Sequence, residues 1–187
     1  MRRTRRVCGE FRVGTWNTQG LACKKNEVRK SLEDMGTDVV LLQETMARET
    51  VFLEGFTTAA QPAEDGPGKQ GVCIAAREGL GLKKIGGHTE YFVFGEIKDL
   101  TGELTVGSVY IPIGREVETV AELGRRVDKM AGGRRRIVLG GDWNMKKEDL
   151  AKALKKWNCA PQLVEKKGSP LTRHGRKRDK STWTEID

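Results

Sequence analysis

The chain has 187 residues, of which 37% are hydrophobic and 32% charged, and its formal net charge is +8. This length and apolar share suit one compact domain with a real core and are too small for two comfortable ones. The sequence has no apolar run of the length that spans a membrane, and the basic residues 1–6 are not followed by the hydrophobic region of a signal peptide. We therefore expect an intracellular protein that is not secreted and has no membrane partner.

The positive charge favours polyanionic partners, and the cysteine pattern bears on zinc binding and on the redox compartment. A basic surface attracts polyanions, and charge alone does not choose between nucleic acid, an anionic membrane surface and simple solvation. The four cysteines are widely spaced, without a CxxC pair or a Cys/His cluster. This pattern favours free thiols in a reducing compartment over a zinc site.

The first elements follow a basic leader at residues 1–10, so we expect the domain to cover residues 11–187. Residues 11–17 partly alternate between apolar and polar side chains, which predicts a first strand. Asn26 is suited to cap a helix that runs through Met35, and Gly36 is a natural end for it.

Short continuous apolar runs predict buried strands at residues 38–43 and 72–76. Residues 57–70, between these two runs, are rich in Gly, Pro and polar side chains and predict a loop. Residues 90–97 and 104–111 are separated by a short polar segment that favours an antiparallel hairpin.

The second half of the chain predicts two more helices and one more buried strand. Residues 116–130 have a helical apolar stripe, and its members are Val117, Val120, Val127 and Met130. Residues 136–141 predict a strand and residues 147–157 a helix with Leu150, Leu154 and Trp157 on its inner face. Residues 181–187 alternate like a strand. Because parallel and antiparallel signals coexist, the pattern predicts an α/β sandwich of mixed sheets covered by helices.

Polar side chains follow three of the predicted apolar strands. Asn17 ends the first, Glu44 follows Gln43 in the second, and Asp142 and Asn144 follow the last. Such side chains stand on rigid supports at a common rim, where carboxylates and amides can surround a hard cation and a phosphate. Each alone is more often a turn former or a helix cap, so the prediction of a site depends on their repetition.

Four motifs resemble, in order and spacing, those of the endonuclease/exonuclease/phosphatase superfamily. They are TWNTQGL at residues 15–21, LQET at 42–45, VYIP at 109–112 and GDWN at 141–144. The superfamily includes apurinic-site endonucleases, pancreatic deoxyribonuclease, sphingomyelinases, inositol-polyphosphate phosphatases and the endonuclease domains of non-LTR retrotransposons. The resemblance implies a DNase I-like, four-layered α/β sandwich, with two mixed β-sheets flanked by helices and the last strand or strands missing.

The resemblance also implies roles for five residues. Glu44 is the principal ligand of Mg²⁺, with Mn²⁺ as an alternative, and Mg²⁺ does prefer few carboxylates. Asp142 activates or orients the attacking water, and Asn17 and Asn144 hold the phosphate or neighbouring ligands. Tyr110 donates its hydroxyl to a non-bridging phosphate oxygen.

The end of the chain resembles the family only up to a point. Thr172 resembles the threonine or serine before the last catalytic strands, and Asp187 resembles the aspartate that orients a catalytic histidine. That histidine belongs to a later motif and no residue follows Asp187, so we expect an incomplete domain with weak or absent turnover. We expect His88 and His174 to be surface residues.

Gln19 stands where several family enzymes carry an aspartate near the metal, a change that retrotransposon members tolerate.

A basic segment near the end of the chain favours DNA over lipid and inositol phosphates as the substrate. Its members are Lys166, Lys167, Arg173, Arg176, Lys177, Arg178 and Lys180. By the resemblance this loop lies along the nucleic-acid groove, with contacts to phosphates from Thr172, Arg173, Arg176, Lys177 and Arg178, and its binding is strongly salt dependent. The alternative is a disordered basic linker.

The leading hypothesis from these features is a retrotransposon-type endonuclease domain that nicks DNA. Cleavage then leaves a 3′ hydroxyl and a 5′ phosphate, the location is nuclear, and a fused or downstream reverse transcriptase is a candidate partner. The alternatives are an apurinic-site DNA repair nuclease, also nuclear, and a non-catalytic nucleic-acid-binding remnant. A lipid or inositol phosphatase is a smaller alternative.

Overall fold

Two mixed β-sheets pack face to face in the computed structural model, which describes residues 11–66, 69–99, 102–132 and 136–162. The first sheet consists of β1 (Val13–Asn17), β2 (Val39–Gln43), β3 (Phe56–Gln61) and β4 (Val72–Arg77), in the spatial order β1-β2-β4-β3. The second consists of β5 (Lys83–Thr89), β6 (Phe92–Asp99), β7 (Gly102–Tyr110) and β8 (Arg136–Asp142), in the order β5-β6-β7-β8. The helices are α1 (Lys25–Asp34), α2 (Glu116–Ala131) and α3 (Lys147–Leu154).

Each sheet has one parallel pair, and these two pairs position the polar strand ends. β1 runs parallel to β2, with Asn17 opposite Gln43, and β7 runs parallel to β8, with Tyr110 opposite Asp142. β1 and β2 contact β8 and β7 across the sandwich. The carboxyl ends of four strands therefore meet at one rim, formed by both sheets.

The apolar residues of β2 explain why this strand has no alternation in sequence. Val39 and Leu41 belong to the core between the sheets, whereas Val40 and Leu42 belong to the core on the other face. All the residues of β2 are buried. A strand covered on both faces has a continuous apolar run, as predicted.

The helices complete the outer layers. Val28 and Leu32 of α1 are fully buried against the first sheet. α2 and α3 cover the second sheet, where Leu123 and Leu150 share a core with Phe94. The order helix, sheet, sheet, helices confirms the predicted four-layered, DNase I-like α/β sandwich. None of the helices described here is long and apolar enough to cross a membrane.

Some predicted helix details were wrong. α1 begins at Lys25, so Asn26 lies inside its first turn and does not cap it; the cap residue is Lys24, without a side-chain cap bond. Gly36 does end this segment, with a φ of +63°. Val117 is 81% exposed and not part of the inner stripe, because the buried face of α2 begins only with Thr119.

Two of the four edge strands, β3 and β5, were missed or assigned to a loop. Residues 57–61 belong to β3, where small and polar side chains leave little apolar pattern. β5 was not predicted; it is mostly exposed, contains two glycines and has an irregular register with β6. His88, expected before a strand, lies within β5, where it is exposed as predicted. Edge strands commonly carry polar side chains, which hides their period.

The last helix is shorter than its sequence pattern. α3 ends at Leu154, and Trp157 follows it, buried against α2. A Cβ atom on Gly124 would lie 2.7 Å from Trp157 Cδ1, so this glycine makes room for the indole ring. The predicted leader at residues 1–10 and the predicted strand at residues 181–187 lie outside the described residues.

Candidate active site

Asn17 joins carboxylates from the two sheets. Its side-chain Nδ2 donates to Glu44 Oε1 at 3.0 Å and to Asp142 Oδ2 at 2.8 Å. The backbone N–H of Gln19 donates to Asn17 Oδ1 at 3.2 Å, which fixes the orientation of the carboxamide. The structure thus brings together three residues that are up to 125 positions apart in sequence.

Glu44 stands on a strained turn just after β2. Its φ is +50°, in the left-handed region that residues with a side chain rarely adopt. The turn is held on one side by the bond from Gly20 N to Glu44 O at 2.8 Å and on the other by the bond from Thr45 N to Gly71 O at 3.1 Å. Backbone strain of this kind is typical of functional sites, where surrounding structure holds it in place.

Asp142 and Asn144 form a second such turn at the end of β8. Asn144 N donates to Asp142 Oδ1 at 3.2 Å, and Asn144 Nδ2 donates to the Ile111 carbonyl at 2.9 Å. The φ of Asn144 is +44°. A side chain at Gly141 would collide with the carbonyl of Val109, so only glycine allows this close parallel pairing. One N–H of the Asn144 side chain is used for this bond to Ile111.

The Tyr110 hydroxyl faces the two carboxylates. Burial, the nearby charges of Glu44 and Asp142, and a hydrogen bond to Glu44 raise its pKa to about 12. A phenol with such a pKa stays protonated at neutral pH and acts as a donor. Tyr110 is 8% exposed, so its body belongs to the core between the sheets while its hydroxyl reaches the rim.

A buried polar cluster lies below the rim, between the sheets. Gln43 Nε2 donates to Ser108 Oγ at 3.0 Å and to the Leu41 carbonyl at 2.9 Å, while Thr15 Oγ1 donates to Gln43 Oε1 at 3.2 Å. Ser108 Oγ in turn donates to the Leu42 carbonyl at 2.9 Å. No role was predicted for Gln43 or Ser108, although an amide at the end of an apolar strand is a usable signal.

Gln70 also reaches the site, although no motif or strand-end pattern selects it. With its amide nitrogen facing Glu44, its side chain donates to both carboxylate oxygens at 3.2 Å. Gln70 lies in the segment before β4, and only the folded chain brings this segment beside Glu44.

The donor set suits a hard divalent cation. Among the described residues, no group of three or more His, Cys, Asp and Glu side chains converges. The rim instead offers the carboxylates of Glu44 and Asp142 with neutral amides and a phenol around them. Mg²⁺ is bound in this way by one or two carboxylates together with water and phosphate oxygens.

Six predicted site residues have no structural account here. They lie outside the described residues, and they are Thr172, Arg173, Arg176, Lys177, Arg178 and Asp187. His174 lies there too. The other five, Asn17, Glu44, Tyr110, Asp142 and Asn144, are together at one rim. Four of them were selected by the strand-end pattern, and Tyr110 by the resemblance alone.

An α/β sandwich of two mixed sheets with carboxylates and amides at one rim is a DNase I-like protein. Residues 14–156 match the sequence profile of the Endonuclease/Exonuclease/phosphatase family. The chain belongs to this family. No curated protein matches the chain in sequence.

Solved structures with the same fold include three nucleic-acid enzymes. The endonuclease domain of TRAS1, a telomere-specific non-LTR retrotransposon, is 23% identical with a TM-score of 0.57, over 74% of this chain and 63% of that one. The AP endonuclease LMAP from Leishmania major is 17% identical with a TM-score of 0.61, over 75% and 57%. The 3′ phosphatase NExo from Neisseria, bound to a product DNA hairpin, is 18% identical with a TM-score of 0.53, over 71% and 57%. The chain therefore spans less than two thirds of each of these structures.

Proposed function

We propose that this rim is the metal and phosphate site of a phosphodiester hydrolase that nicks DNA, in a retrotransposon-type endonuclease domain. The observation that carries the proposal is the Asn17 amide, which joins Glu44 and Asp142 at 3.0 and 2.8 Å. Two carboxylates held apart by a neutral donor provide separate positions for a cation and for a water molecule. Family membership supports the reaction class.

In this proposal each residue has a defined task. Glu44 holds the Mg²⁺ or Mn²⁺ ion, which when bound supplies positive charge to the phosphate oxygens and polarises water. Asp142 orients the attacking water and accepts its proton. Tyr110, protonated because its pKa is about 12, donates to a non-bridging phosphate oxygen, and the second N–H of Asn144 does the same. Attack on phosphorus breaks the bond to the 3′ oxygen, which takes a proton from solvent water, and leaves a 3′ hydroxyl and a 5′ phosphate.

DNA is the proposed substrate because of charge and structural similarity. The net charge of +8 favours a polyanion over a small head group. NExo, which shares the fold, is bound to DNA in its structure. We propose that Thr172, Arg173, Arg176, Lys177 and Arg178 contact the DNA phosphates and that Asp187 belongs to the same site. A nuclear location and a fused or downstream reverse transcriptase are part of this proposal.

Gln19 favours the retrotransposon branch over repair. Its backbone N–H binds Asn17, so position 19 lies at the rim, where several family enzymes carry an acidic residue. The TRAS1 endonuclease domain has the same fold. Repair of apurinic sites is the second candidate, and the fold of LMAP supports it.

Nicking of supercoiled plasmid tests the proposal. With Mg²⁺ and protein in excess over DNA, we expect a slow conversion to nicked circles that falls at least about a hundredfold in Glu44→Gln and Asp142→Asn, since each removes a group that acts in the transition state. Glu33→Gln is the matched control, because Glu33 is a carboxylate near the end of α1, 49% exposed in a surface ion pair. Equal rates in all four proteins would mean that a contaminant cuts the plasmid and that the rim does not.

A second substrate separates the two candidates. Plasmid that carries abasic sites should be nicked at a rate similar to that of intact plasmid if the chain is a retrotransposon-type endonuclease. A preference for abasic DNA by orders of magnitude would instead favour the repair nuclease. Release of phosphate from lipid or inositol-phosphate head groups, with no nicking, would contradict both nuclease candidates and favour a lipid or inositol phosphatase.

A further inference from the structure

The segment before β4 pairs with the turn that carries Glu44. Met46 N donates to the Gln70 carbonyl at 2.8 Å, and Thr45 N donates to the Gly71 carbonyl at 3.1 Å. Gly71 has a φ of +80°, and a Cβ atom there would lie 2.6 Å from Thr45 Oγ1. The backbone therefore holds Gln70 firmly beside Glu44.

One terminal atom of the Gln70 carboxamide is 3.2 Å from each carboxylate oxygen of Glu44. If this atom is nitrogen, the amide donates to both oxygens. If it is oxygen, three acceptor oxygens converge and the amide nitrogen faces donors, which is unfavourable unless a cation lies among the oxygens. Neighbouring oxygen ligands of an octahedral Mg²⁺, each at about 2.1 Å, are about 3 Å apart, so the observed spacing also suits shared ligation.

We propose that Gln70 is a further ligand of the divalent cation that Glu44 binds. In the empty site its amide nitrogen donates to Glu44, and in the loaded site the carboxamide turns and its oxygen binds the cation. This inference rests on the metal site of the proposed function. Gln70 would be a neutral ligand, and it lies outside the four motifs that resemble the family.

Asn17, the other amide in contact with Glu44, is less suited to this task. Its Oδ1 accepts from Gln19 N, and its Nδ2 donates to both Glu44 and Asp142. Turning its oxygen toward a cation would break three hydrogen bonds and leave two carboxylates without their shared donor. A carbonyl ligand from Gln70 binds a hard cation without adding negative charge to the rim.

The sign of a change in Mn²⁺ affinity tests the proposal. Mn²⁺ binding to the full chain is measured by electron paramagnetic resonance for the wild type, Gln70→Leu and Gln61→Leu. If Gln70 is a ligand, Gln70→Leu should bind Mn²⁺ at least about tenfold more weakly. If Gln70 only donates to Glu44, its loss leaves the carboxylate more available, so the affinity stays equal or rises and the proposal is overturned. Gln61→Leu is the matched control, because the Gln61 amide faces a different carboxylate, Glu64, at 3.5 Å.

A second measurement does not depend on the stability of the variant. In protein labelled with ¹³C at the glutamine side-chain carbonyl, electron–nuclear double resonance on bound Mn²⁺ should show the coupling of a directly bound carboxamide. The coupling should be absent from labelled Gln70→Leu. No such coupling in the wild type, or one that persists without Gln70, overturns the proposal.

Glu44→Gln separates this inference from the proposed function. If the wild type binds Mn²⁺ and Glu44→Gln does not, the metal site is present and the Gln70 result decides the inference alone. If the wild type binds no Mn²⁺, or Glu44→Gln binds it equally well, the metal site of the proposed function fails and the inference fails with it.

Discussion

Glu44 and Asp142 share the amide of Asn17, and this sharing keeps two negative charges close together without direct contact. Asn17 uses both of its N–H groups for the two carboxylates. An aspartate in its place would add a third negative charge, and like charges at such distances repel strongly when partly buried. A neutral amide therefore gives the rim hydrogen-bond donors without adding negative charge to it.

The Tyr110 phenol offers a direct measurement of this negative environment. Burial, the charges of Glu44 and Asp142 and the bond to Glu44 raise its pKa to about 12. The folded protein therefore holds this proton more tightly than the unfolded chain, so the contribution of Tyr110 to stability is present below about pH 10 and is lost as the pH rises toward 12. In a titration followed by phenolate absorbance, we expect one of the chain's two tyrosines to ionise near 12.

Two variants assign that ionisation. Tyr110→Phe should remove the late phase, and Glu44→Gln should move it to a lower pH, because the charge and the hydrogen bond of Glu44 both raise the pKa of Tyr110. A late phase that remains in Tyr110→Phe would contradict the assignment.

At the scale of elements, the cluster of Thr15, Gln43 and Ser108 ties three strands together just below the rim. Thr15 belongs to β1, Gln43 to β2 and Ser108 to β7, so the cluster crosses from one sheet to the other. Gln43 directly precedes Glu44, and Ser108 stands two residues before Tyr110. The cluster is therefore placed to set the distance between the residues that the two sheets contribute to the site.

Removing the central amide should cost stability. Gln43→Leu leaves the Thr15 hydroxyl without its buried acceptor, and Ser108 loses a donor. We expect a loss of about 1–3 kcal/mol in the free energy of unfolding, measured in urea.

An apolar replacement of the whole cluster provides the control. The triple variant Thr15→Val, Gln43→Leu, Ser108→Ala leaves fewer side-chain polar groups unpaired, so it should recover most of the lost stability. If the triple variant is as unstable as the sum of its single changes, packing and not hydrogen bonding explains the role of Gln43.

At this scale, burial decides which elements were predictable from the sequence. β2, β4 and the inner faces of the helices were predictable because burial on one or both faces imposes an apolar pattern. β3 and β5 are edge strands with polar or small side chains, so no such pattern exists for them. Asn17, Glu44, Asp142 and Asn144 were found because they end strands, whereas Gln70 lies in a loop whose place beside Glu44 depends on tertiary contacts.

At the scale of the whole molecule, the site exists only where the two sheets meet. Glu44 comes from the first sheet and Tyr110 and Asp142 from the second, and the core between the sheets fixes their relation. A substrate at this rim must lie across the ends of both sheets. A long, charged polymer such as DNA, the substrate in the proposed function, can do this.

In the proposed function, basic residues near the end of the chain bind DNA through its phosphates. Replacing Arg173, Arg176, Lys177 and Arg178 with Gln should weaken binding to duplex DNA and make it less sensitive to salt. The slope of log K against log salt is negative, and each lost phosphate contact reduces its magnitude by about 0.9. Four lost contacts therefore reduce the magnitude by about 3.6. Fluorescence anisotropy with labelled duplex, over a range of salt concentrations and with Ca²⁺ in place of Mg²⁺, measures this slope.

An equal loss of charge elsewhere distinguishes local contacts from net charge. Lys30, Arg125, Lys129 and Lys152 are exposed on the three helices, and their replacement with Gln removes the same four charges. If the basic segment grips phosphates, this second variant should keep most of the wild-type slope, because exposed charges more than a Debye length from the DNA release few counterions. Equal slopes in the two variants would mean that net charge drives binding and that residues 173–178 form only a solvated linker.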